Sequence, residues 1–407
     1  MLALAAVCVT ALACAGAPAA TAGTTPGPRS AASAAATAAA ASPATVRGRV
    51  LARCLRRART VRGPRGRARA RRACLRRYRR SVALARRLFG VSVGGGFQNQ
   101  DPVTLARDLD AMRAMGARWL RLDINWAQIQ DRGPDVYDWT IIDRVVQGAT
   151  ARGMRVLGTL NYTPTWARPP GTAPGHPPPP GPFAQFAATA VRHYAALGVH
   201  AYEVWNEPNL APYWTPRANP AAYAEVLKAA YPAIKAADPS ATVVSGGMAP
   251  AGTAGNDLSP VDFLAGLYAA GAGRAFDAVG HHPYTWPAYP GDPELWSPWY
   301  QMYGTRPNLR SVMAANGDRA KRIWATEYGA PTNGVDGSRV TEPEQAAMLR
   351  KAYRLFARYE WGGPLFWYAH RDLGAPGSPS RESFFGLLRH DFSPKESYAA
   401  FRAAASS

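Results

Sequence analysis

Two glutamates are of the residue type and setting that could do acid–base chemistry. Glu207 lies in "VHAYEVWNEPNL" (residues 199–210), where an apolar-aromatic run ends in Asn-Glu-Pro, and Glu327 ends the run "RIWATEYGAP". A protonated carboxylic acid can donate to a leaving oxygen while an ionised carboxylate attacks or directs water, and such a pair cleaves glycosidic bonds. Taken alone, a Glu beside Pro is also typical of a solvated turn, so the surrounding elements decide its role.

Strand-like runs alternate with amphipathic helical segments from Leu88 onward. Eight βα units imply parallel strands and predict a closed (β/α)8 TIM barrel, an α/β fold. A doubly wound open sheet shares this alternation, but no strand leads into a nucleotide-binding glycine motif, and "VGGGF" at residues 93–97 matches none of them. The strand runs are "RLFGVSVGGG", "WLRLDINW", "RVLGTLNYTP", "AYEVWNEPN", "TVVSGGMAP", "FDAVGHHPY", "RIWATEYGAP" and "GPLFWYAHRD".

In such barrels the catalytic side chains lie at the C-terminal ends of the strands. Glu207 and Glu327 are separated by three βα units, so both should point into one mouth, and a gap of about 5–5.5 Å would fit a retaining enzyme. The predicted ends carry two carboxylates, hydrogen-bond donors and aromatic rings, which is the inventory that glycoside hydrolysis needs. They are Arg121 and Asp123 after strand 2, Asn161 after strand 3, Asn206 and Glu207 after strand 4, His282 and Tyr284 after strand 6, Glu327 after strand 7, and Trp367 with His370 on strand 8.

These residues resemble clan A, the retaining glycoside hydrolases built on (β/α)8 barrels, over nearly all of residues 88–404. "YEVWNEPN" resembles the strand-4 signature of that clan, and "WATEYG" resembles its strand-7 sequence. Within the clan the chain is most similar to family 39 and to cellulase-like family 5 proteins, particularly bacterial endo-glycosidases linked to exopolysaccharides. "LNYTPTW" lacks the histidine that many family 5 enzymes have near the end of strand 3, which leaves the substrate open.

The resemblance implies a role for each matching position. Glu207 would be the acid/base, Glu327 the nucleophile, and Asn206 a hydrogen-bond donor to the sugar 2-hydroxyl. Arg121 and Tyr284 would hold Glu327 ionised and aimed. The resemblance thus assigns the acid/base and nucleophile roles, which the residue types alone left open.

Two adjacent histidines raise the question of a metal. His282 would line the sugar site near the catalytic pair, whereas His281 is open between packing and function. No third His or carboxylate has ligand spacing nearby and H-E-x-x-H is absent. We therefore predict no metal and no organic cofactor.

Tryptophan rings at the mouth are expected to stack on the apolar faces of sugars. About half of the five tryptophans near the predicted active face should contact substrate. The proline-rich residues 167–182 either wall the cleft or form a solvent-exposed connection. The five are Trp126, Trp166, Trp214, Trp286 and Trp367, of which Trp166, Trp286 and Trp367 join Asn161 as predicted substrate-binding residues.

The basic charge is confined to one short segment. The 407 residues carry a formal net charge of +21, but residues 1–100 contain nineteen arginines and no Lys, Asp or Glu, which leaves +2 for the remainder. Residues 46–87 predict an Arg-rich helical hairpin closed by a disulfide between Cys54 and Cys74. This segment is either a solvated face or a contact for anionic cell-wall polymer. Nucleic acid is disfavoured because aromatic residues are not interleaved with the arginines, apart from Tyr78.

The amino-terminal residues have the composition of a targeting segment. Residues 1–23 predict a signal peptide, with lipid modification of Cys14 as an alternative, and residues 24–45 predict a low-complexity linker. No other stretch approaches a membrane span. We therefore expect a secreted or cell-surface protein.

Together these patterns predict a secreted, monomeric retaining glycoside hydrolase that cleaves a β-linked polysaccharide or oligosaccharide by double displacement. A transglycosylase would use the same site, with a sugar hydroxyl in place of water. A non-catalytic glycan-binding protein and an adhesin acting through the basic hairpin are further alternatives. The presence of both glutamates argues against the non-catalytic barrel.

Overall fold

The computed structural model of the protein describes residues 43–293 and 297–406. The predicted signal peptide (residues 1–23) and most of the predicted linker (residues 24–45) lie outside the described residues. Among the helices of the described part, none combines the length and apolar character needed to cross a bilayer.

Eight parallel strands close into a barrel in chain order, and β8 pairs with β1. This confirms the predicted (β/α)8 architecture. Each strand is followed by at least one helix before the next strand begins. The strands are β1 Phe89–Ser92, β2 Trp119–Asn125, β3 Arg155–Asn161, β4 Ala201–Asn206, β5 Thr242–Gly247, β6 Ala278–His281, β7 Arg322–Tyr328 and β8 Gly362–Tyr368.

Side-chain caps fix where several helices begin. Asp101 accepts hydrogen bonds from the amides of the first turn of α3, and Asn219 does the same for α7. Thr341 and Glu344 form a reciprocal capping box on α11. The helices of the described residues are α1 Pro43–Arg59, α2 Pro64–Leu88, α3 Pro102–Met115, α4 Trp126–Ile129, α5 Thr140–Ala151, α6 Pro180–Ala195, α7 Pro220–Ala237, α8 Pro260–Ala269, α9 Pro298–Gln301, α10 Leu309–Ala315, α11 Glu342–Phe356 and α12 Glu396–Ser406.

Two apolar clusters hold the barrel together. The larger cluster fills the space between the strands and the surrounding helices. The smaller one is a plug inside the barrel, formed near the amino-terminal ends of the strands, which leaves the carboxyl ends to polar side chains. Its members are Trp119, Leu157, Ala201, Val244, Ala278, Trp324 and Phe366.

The Arg-rich hairpin is part of the same compact unit as the barrel. α1 packs against α2 and α12, and α2 contacts β8. The predicted disulfide joins Cys54 to Cys74, with the two Cα atoms 5.8 Å apart. Because α2 ends at Leu88 and β1 begins at Phe89, the hairpin runs into the barrel without a linker.

Candidate active site

Arg121 on β2 organises the floor of the mouth. Its Nε donates to Oε2 of Glu203 at 2.6 Å, and its Nη1 donates to Oε1 of Glu327 at 2.5 Å. Its Nη2 donates to Oδ1 of Asn206 at 2.7 Å. One buried guanidinium therefore links β2, β4 and β7 through their polar side chains.

Tyr284 and His282 follow β6 and contact the two glutamates. The Tyr284 hydroxyl donates to Oε2 of Glu327 at 2.7 Å. Nδ1 of His282 lies 2.9 Å from Oε1 of Glu207 and 3.7 Å from Oε2 of Glu327. His282 thus stands between the two glutamates and contacts the acid/base candidate more closely.

The two glutamates are close to each other. One oxygen of Glu207, one oxygen of Glu327 and a ring nitrogen of His282 all lie within 4.8 Å of one another. Their side chains are 12% and 14% exposed, so each reaches the mouth from a largely buried position. This spacing fits the gap of about 5–5.5 Å expected for a retaining pair.

The same three side chains have the composition of a metal site, a grouping that sequence spacing did not suggest. The Arg121 guanidinium already lies 2.5 Å from Glu327. A divalent cation at the cluster would face this fixed positive charge at short range, which is unfavourable. The arrangement suits acid–base chemistry better than metal binding.

The surroundings shift the pKa values of the two glutamates in opposite directions. Burial raises the pKa of Glu207 above its ordinary value, and the hydrogen bond from His282 only partly opposes this. Burial alone would also raise the pKa of Glu327, but electrostatic interaction with His282 and Arg121 and the Tyr284 hydrogen bond lower it below its ordinary value. A protonated acid beside an ionised carboxylate is what double displacement requires.

The end of β4 is backbone-strained, and packing holds it in place. Trp205 has φ 73° and Glu207 has φ 47°, in the left-handed region that non-glycine residues rarely occupy. The Trp205 indole donates to the Tyr213 carbonyl at 2.7 Å, and the Glu207 amide donates to the Gly247 carbonyl at 3.0 Å. Oδ1 of Asn209 accepts a hydrogen bond from the Ala249 amide at 2.8 Å. Strain held by such contacts is typical of functional sites.

Gly247 is required by the site for reasons of space. A Cβ atom there would lie 2.2 Å from Nε2 of His282 and 2.5 Å from the Thr326 hydroxyl. The end of β5 therefore carries no side chain so that His282 can approach the glutamates.

The tryptophans divide between the core and the mouth. Trp126, Trp214 and Trp367 are fully buried. Trp166 and Trp286 are partly exposed, with Trp286 edge-on to Tyr284 at 5.1 Å. These two keep ring surface that a sugar could reach.

Trp367 does not have the exposure that its predicted substrate contact needs. Its indole donates to the Phe385 carbonyl at 3.1 Å, and its ring packs on Tyr328. The next residue, Tyr368, is partly exposed, and burial together with the negative charges of Glu327 and Glu207 raises its pKa well above the ordinary value. Because neighbouring strand residues face opposite ways, Tyr368 rather than Trp367 is the β8 aromatic at the mouth.

Other predicted residues take supporting positions. Asn161 is buried and donates to Oδ1 of Asp123 at 2.8 Å, and burial raises the pKa of Asp123 to about 6. His281 is buried between backbone carbonyls, and His370 pairs with Asp108 at 2.8 Å, away from the glutamates. Asn161 therefore acts on the mouth through Asp123.

The proline-rich loop after β3 is tied down at the mouth. The Thr163 hydroxyl donates to the His176 carbonyl at 2.6 Å. The Thr215 amide donates to the Gly175 carbonyl at 3.2 Å, which joins this loop to the one after β4. The loop is thus fixed to the loop that follows β4 and is not a free connection.

The sequence patterns did not indicate two acidic residues of the site. Glu203 is fully buried inside β4, where it accepts from Arg121 and from the Thr159 hydroxyl. Glu382 follows β8, and burial, opposed by Arg381 and reinforced by Glu207 and other acids, raises its pKa to about 7. The signal for Glu203 was a charge in the middle of an apolar strand, matched by Arg121 in the middle of β2.

Comparison with known proteins assigns the family. A sequence model of cellulase (glycosyl hydrolase family 5) matches residues 82–359. The chain belongs to glycoside hydrolase family 5. This membership confirms the predicted resemblance and the enzyme class, a glycoside hydrolase of clan A.

Solved structures of family 39 and family 5 proteins are similar to this chain in fold. A family 39 glycoside hydrolase from Bacteroides cellulosilyticus has 25% identity and a TM-score of 0.61, covering 79% of this chain and 64% of that chain. A family 39 β-xylosidase from Caulobacter crescentus has 25% identity and a TM-score of 0.59, covering 77% and 70%. A GH5_18 protein from Bifidobacterium longum shares the fold at 15% identity, with a TM-score of 0.58 and 78% and 77% coverage. No curated protein matches the chain by sequence.

Proposed function

We propose that this family 5 member is a secreted retaining glycoside hydrolase that cuts a β-linked polysaccharide or oligosaccharide by double displacement. The observation that carries the proposal is the close approach of Glu207 and Glu327, with oxygens within 4.8 Å of one another at the barrel mouth. An inverting pair would stand about 6.5–9.5 Å apart, to leave room for a water.

In the first step Glu327 attacks the anomeric carbon. The proton of Glu207 moves to the leaving oxygen as the bond between that oxygen and the anomeric carbon breaks. A glycosyl ester of Glu327 results. Arg121 and Tyr284 keep Glu327 ionised before the attack, because both donate hydrogen bonds to its oxygens.

In the second step the Glu207 carboxylate takes a proton from water. The water oxygen bonds to the anomeric carbon, and Glu327 leaves as a carboxylate. His282, 2.9 Å from Oε1 of Glu207, orients that group in both steps. Because Oδ1 of Asn206 accepts from Arg121, the Asn206 amide N–H groups are the atoms turned to donate to a sugar hydroxyl.

Secretion and attachment to anionic polymer are further parts of the proposal. The Cys54–Cys74 disulfide is typical of oxidising compartments. Every arginine from Arg49 to Arg80 is exposed, so the hairpin presents many positive charges to solvent. We propose that the protein acts as a monomer held to anionic cell-wall polymer through these exposed arginines, by an attraction that salt weakens.

The test begins with a screen of purified polysaccharides, read by product mass. On the substrate found, Glu207→Ala and Glu327→Ala should each abolish turnover, while the exposed Glu360→Ala serves as the matched control. Added azide should restore activity to both inactive variants, with retained product from Glu207→Ala and inverted product from Glu327→Ala. Full activity in either variant would overturn the assignment.

A further inference from the structure

A cavity of about 570 Å³ lies at the opposite end of the barrel from the two glutamates. Its walls come from the amino-terminal ends of the strands, with Trp119 on β2, Arg155 on β3 and Arg322 on β7. Arg87, in the last turn of α2, closes one side. The hairpin and the barrel therefore form this hollow together.

Three arginines, Arg87, Arg155 and Arg322, and no acidic residue are among the lining residues of the cavity in the described part of the chain. The adjacent Asp238 is engaged by His200 at 2.7 Å and by the Ser240 hydroxyl at 2.7 Å. Within residues 43–293 and 297–406 none of the three arginines forms an ion pair, and the buried Nε of Arg87 has no hydrogen-bond partner. Burial, together with the charge of Arg322, lowers the pKa of Arg87. Like charges held this way favour binding of an anion.

The undescribed amino-terminal segment brings no side-chain carboxylate to this place. Residues 1–42 contain no Asp or Glu, and the first acidic residue of the chain is Asp101. The complement that the arginines need is thus better supplied by a ligand.

We propose that this cavity binds an anionic sugar unit through its carboxylate or phosphate group. Guanidinium groups match both anions with paired hydrogen bonds. Trp119 and Trp324, edge to face at 5.4 Å and each 7% exposed, form the apolar floor of the cavity. The Thr242 hydroxyl can bond to a sugar hydroxyl, and the Ser240 hydroxyl, which donates to Asp238, can accept from one. A volume of 570 Å³ accommodates a monosaccharide and its charged group.

The test is calorimetric titration of the full chain at low salt with glucuronate, glucose 1-phosphate, glucose and inorganic phosphate. Glucuronate or glucose 1-phosphate should bind, and whichever binds more tightly identifies the anion. Glucose should not bind, and inorganic phosphate should bind more weakly than the charged sugar. The double variant Arg87→Gln/Arg322→Gln should weaken binding of the charged sugar roughly tenfold or more. A matched double variant of exposed arginines, Arg113→Gln/Arg350→Gln, should bind as the parent does.

Three results would overturn the proposal. These are no binding of either charged sugar, equal loss in the two double variants, and phosphate binding as tight as that of the charged sugars. If the first double variant unfolds at lower temperature than the parent, Arg155→Gln replaces it, because Arg155 is exposed at the rim. Turnover at the catalytic mouth should be unchanged in all these variants, which separates this test from that of the glutamates.

Discussion

Arg121 donates from Nη1 to Oε1 of Glu327 at 2.5 Å, in a buried ion pair beneath the catalytic mouth. The same guanidinium is held by Glu203 at 2.6 Å and by Asn206 at 2.7 Å. Because Arg121 is fixed on three sides, its charge stays beside Glu327. The nucleophile is therefore prepared as a carboxylate before substrate arrives, at no further cost in reorganisation.

Arg121→Gln should lower kcat by roughly 10²–10³. Loss of the positive charge raises the pKa of Glu327, so the acid limb of the pH–rate profile should move to higher pH. The measurement is kcat/KM against pH, with the exposed Arg113→Gln as control. Since Arg121→Gln leaves Glu203 buried and unpaired, the double variant with Glu203→Gln checks for misfolding. An unmoved acid limb in a folded variant would show that Arg121 does not set the ionisation of Glu327.

Tyr284→Phe should reduce kcat roughly tenfold to a hundredfold, because it removes one hydrogen bond to the charged Glu327. Tyr328→Phe is the matched control, since the Tyr328 hydroxyl contacts Thr285 at 3.2 Å and neither glutamate. Both variants are compared in kcat on the same substrate. Equal losses in the two would assign the effect to packing instead.

The pH–rate profile should be bell-shaped. Activity requires ionised Glu327 and falls as pH drops through its lowered pKa, and it requires protonated Glu207 and falls as pH rises through its raised pKa. An aryl glycoside whose leaving group needs no proton isolates the role of Glu207. With this substrate, Glu207→Ala should still release a burst of the aryl leaving group in the first step. The rate of that step should no longer fall at alkaline pH. Persistence of that fall would assign the acid to another group.

Asp108→Asn should destabilise the fold by about 2 kcal/mol at neutral pH. Burial opposes ionisation of Asp108, yet His370 and Arg371 lower its pKa to about 2. A depressed pKa means that this stability is present above the unfolded-state pKa and is lost as pH falls toward 2. Denaturant unfolding at pH 7 and pH 3 should show the difference shrinking, with the exposed Asp131→Asn unchanged at both. A constant difference would rule out this ionisation as the source.

Reduction of Cys54–Cys74 should destabilise the hairpin by about 3 kcal/mol in the chain-entropy account. The barrel from residue 88 onward contains no cysteine, so its catalysis should survive reduction. Hydrogen exchange of α1 and turnover are measured with and without reductant, and the Cys54→Ser/Cys74→Ser variant is the control. Unchanged exchange in α1 would indicate that packing on α12 holds the hairpin alone.

The alternation of strands and helices was sufficient to predict the closed barrel, because eight βα units with short connections leave few other arrangements. Strand ends then predicted which polar residues share the mouth. Glu207, Glu327, Arg121 and Tyr284 all lie there in hydrogen-bonding contact with one another or with His282.

The other features of the site depend on contacts between elements, which the sequence of a single strand does not contain. Trp367 and Tyr368 are both aromatic, and only the register of β8 shows which one faces the mouth. Glu203 looked like one polar residue in an apolar strand, because its partner Arg121 is on another strand. Glu382 lies in a short 3-10 helix, Arg381–Phe384, whose position no periodicity in the sequence predicts.

Double displacement requires Glu327 to form a covalent bond to the sugar. The most direct measurement is peptide mapping by mass spectrometry after incubation of the full chain with a 2-deoxy-2-fluoro β-glycoside of the sugar found in the screen. We expect one added sugar, located on Glu327 and absent from Glu327→Ala. An adduct on Glu207 would contradict it, and so would turnover of the parent glycoside with inversion and no adduct.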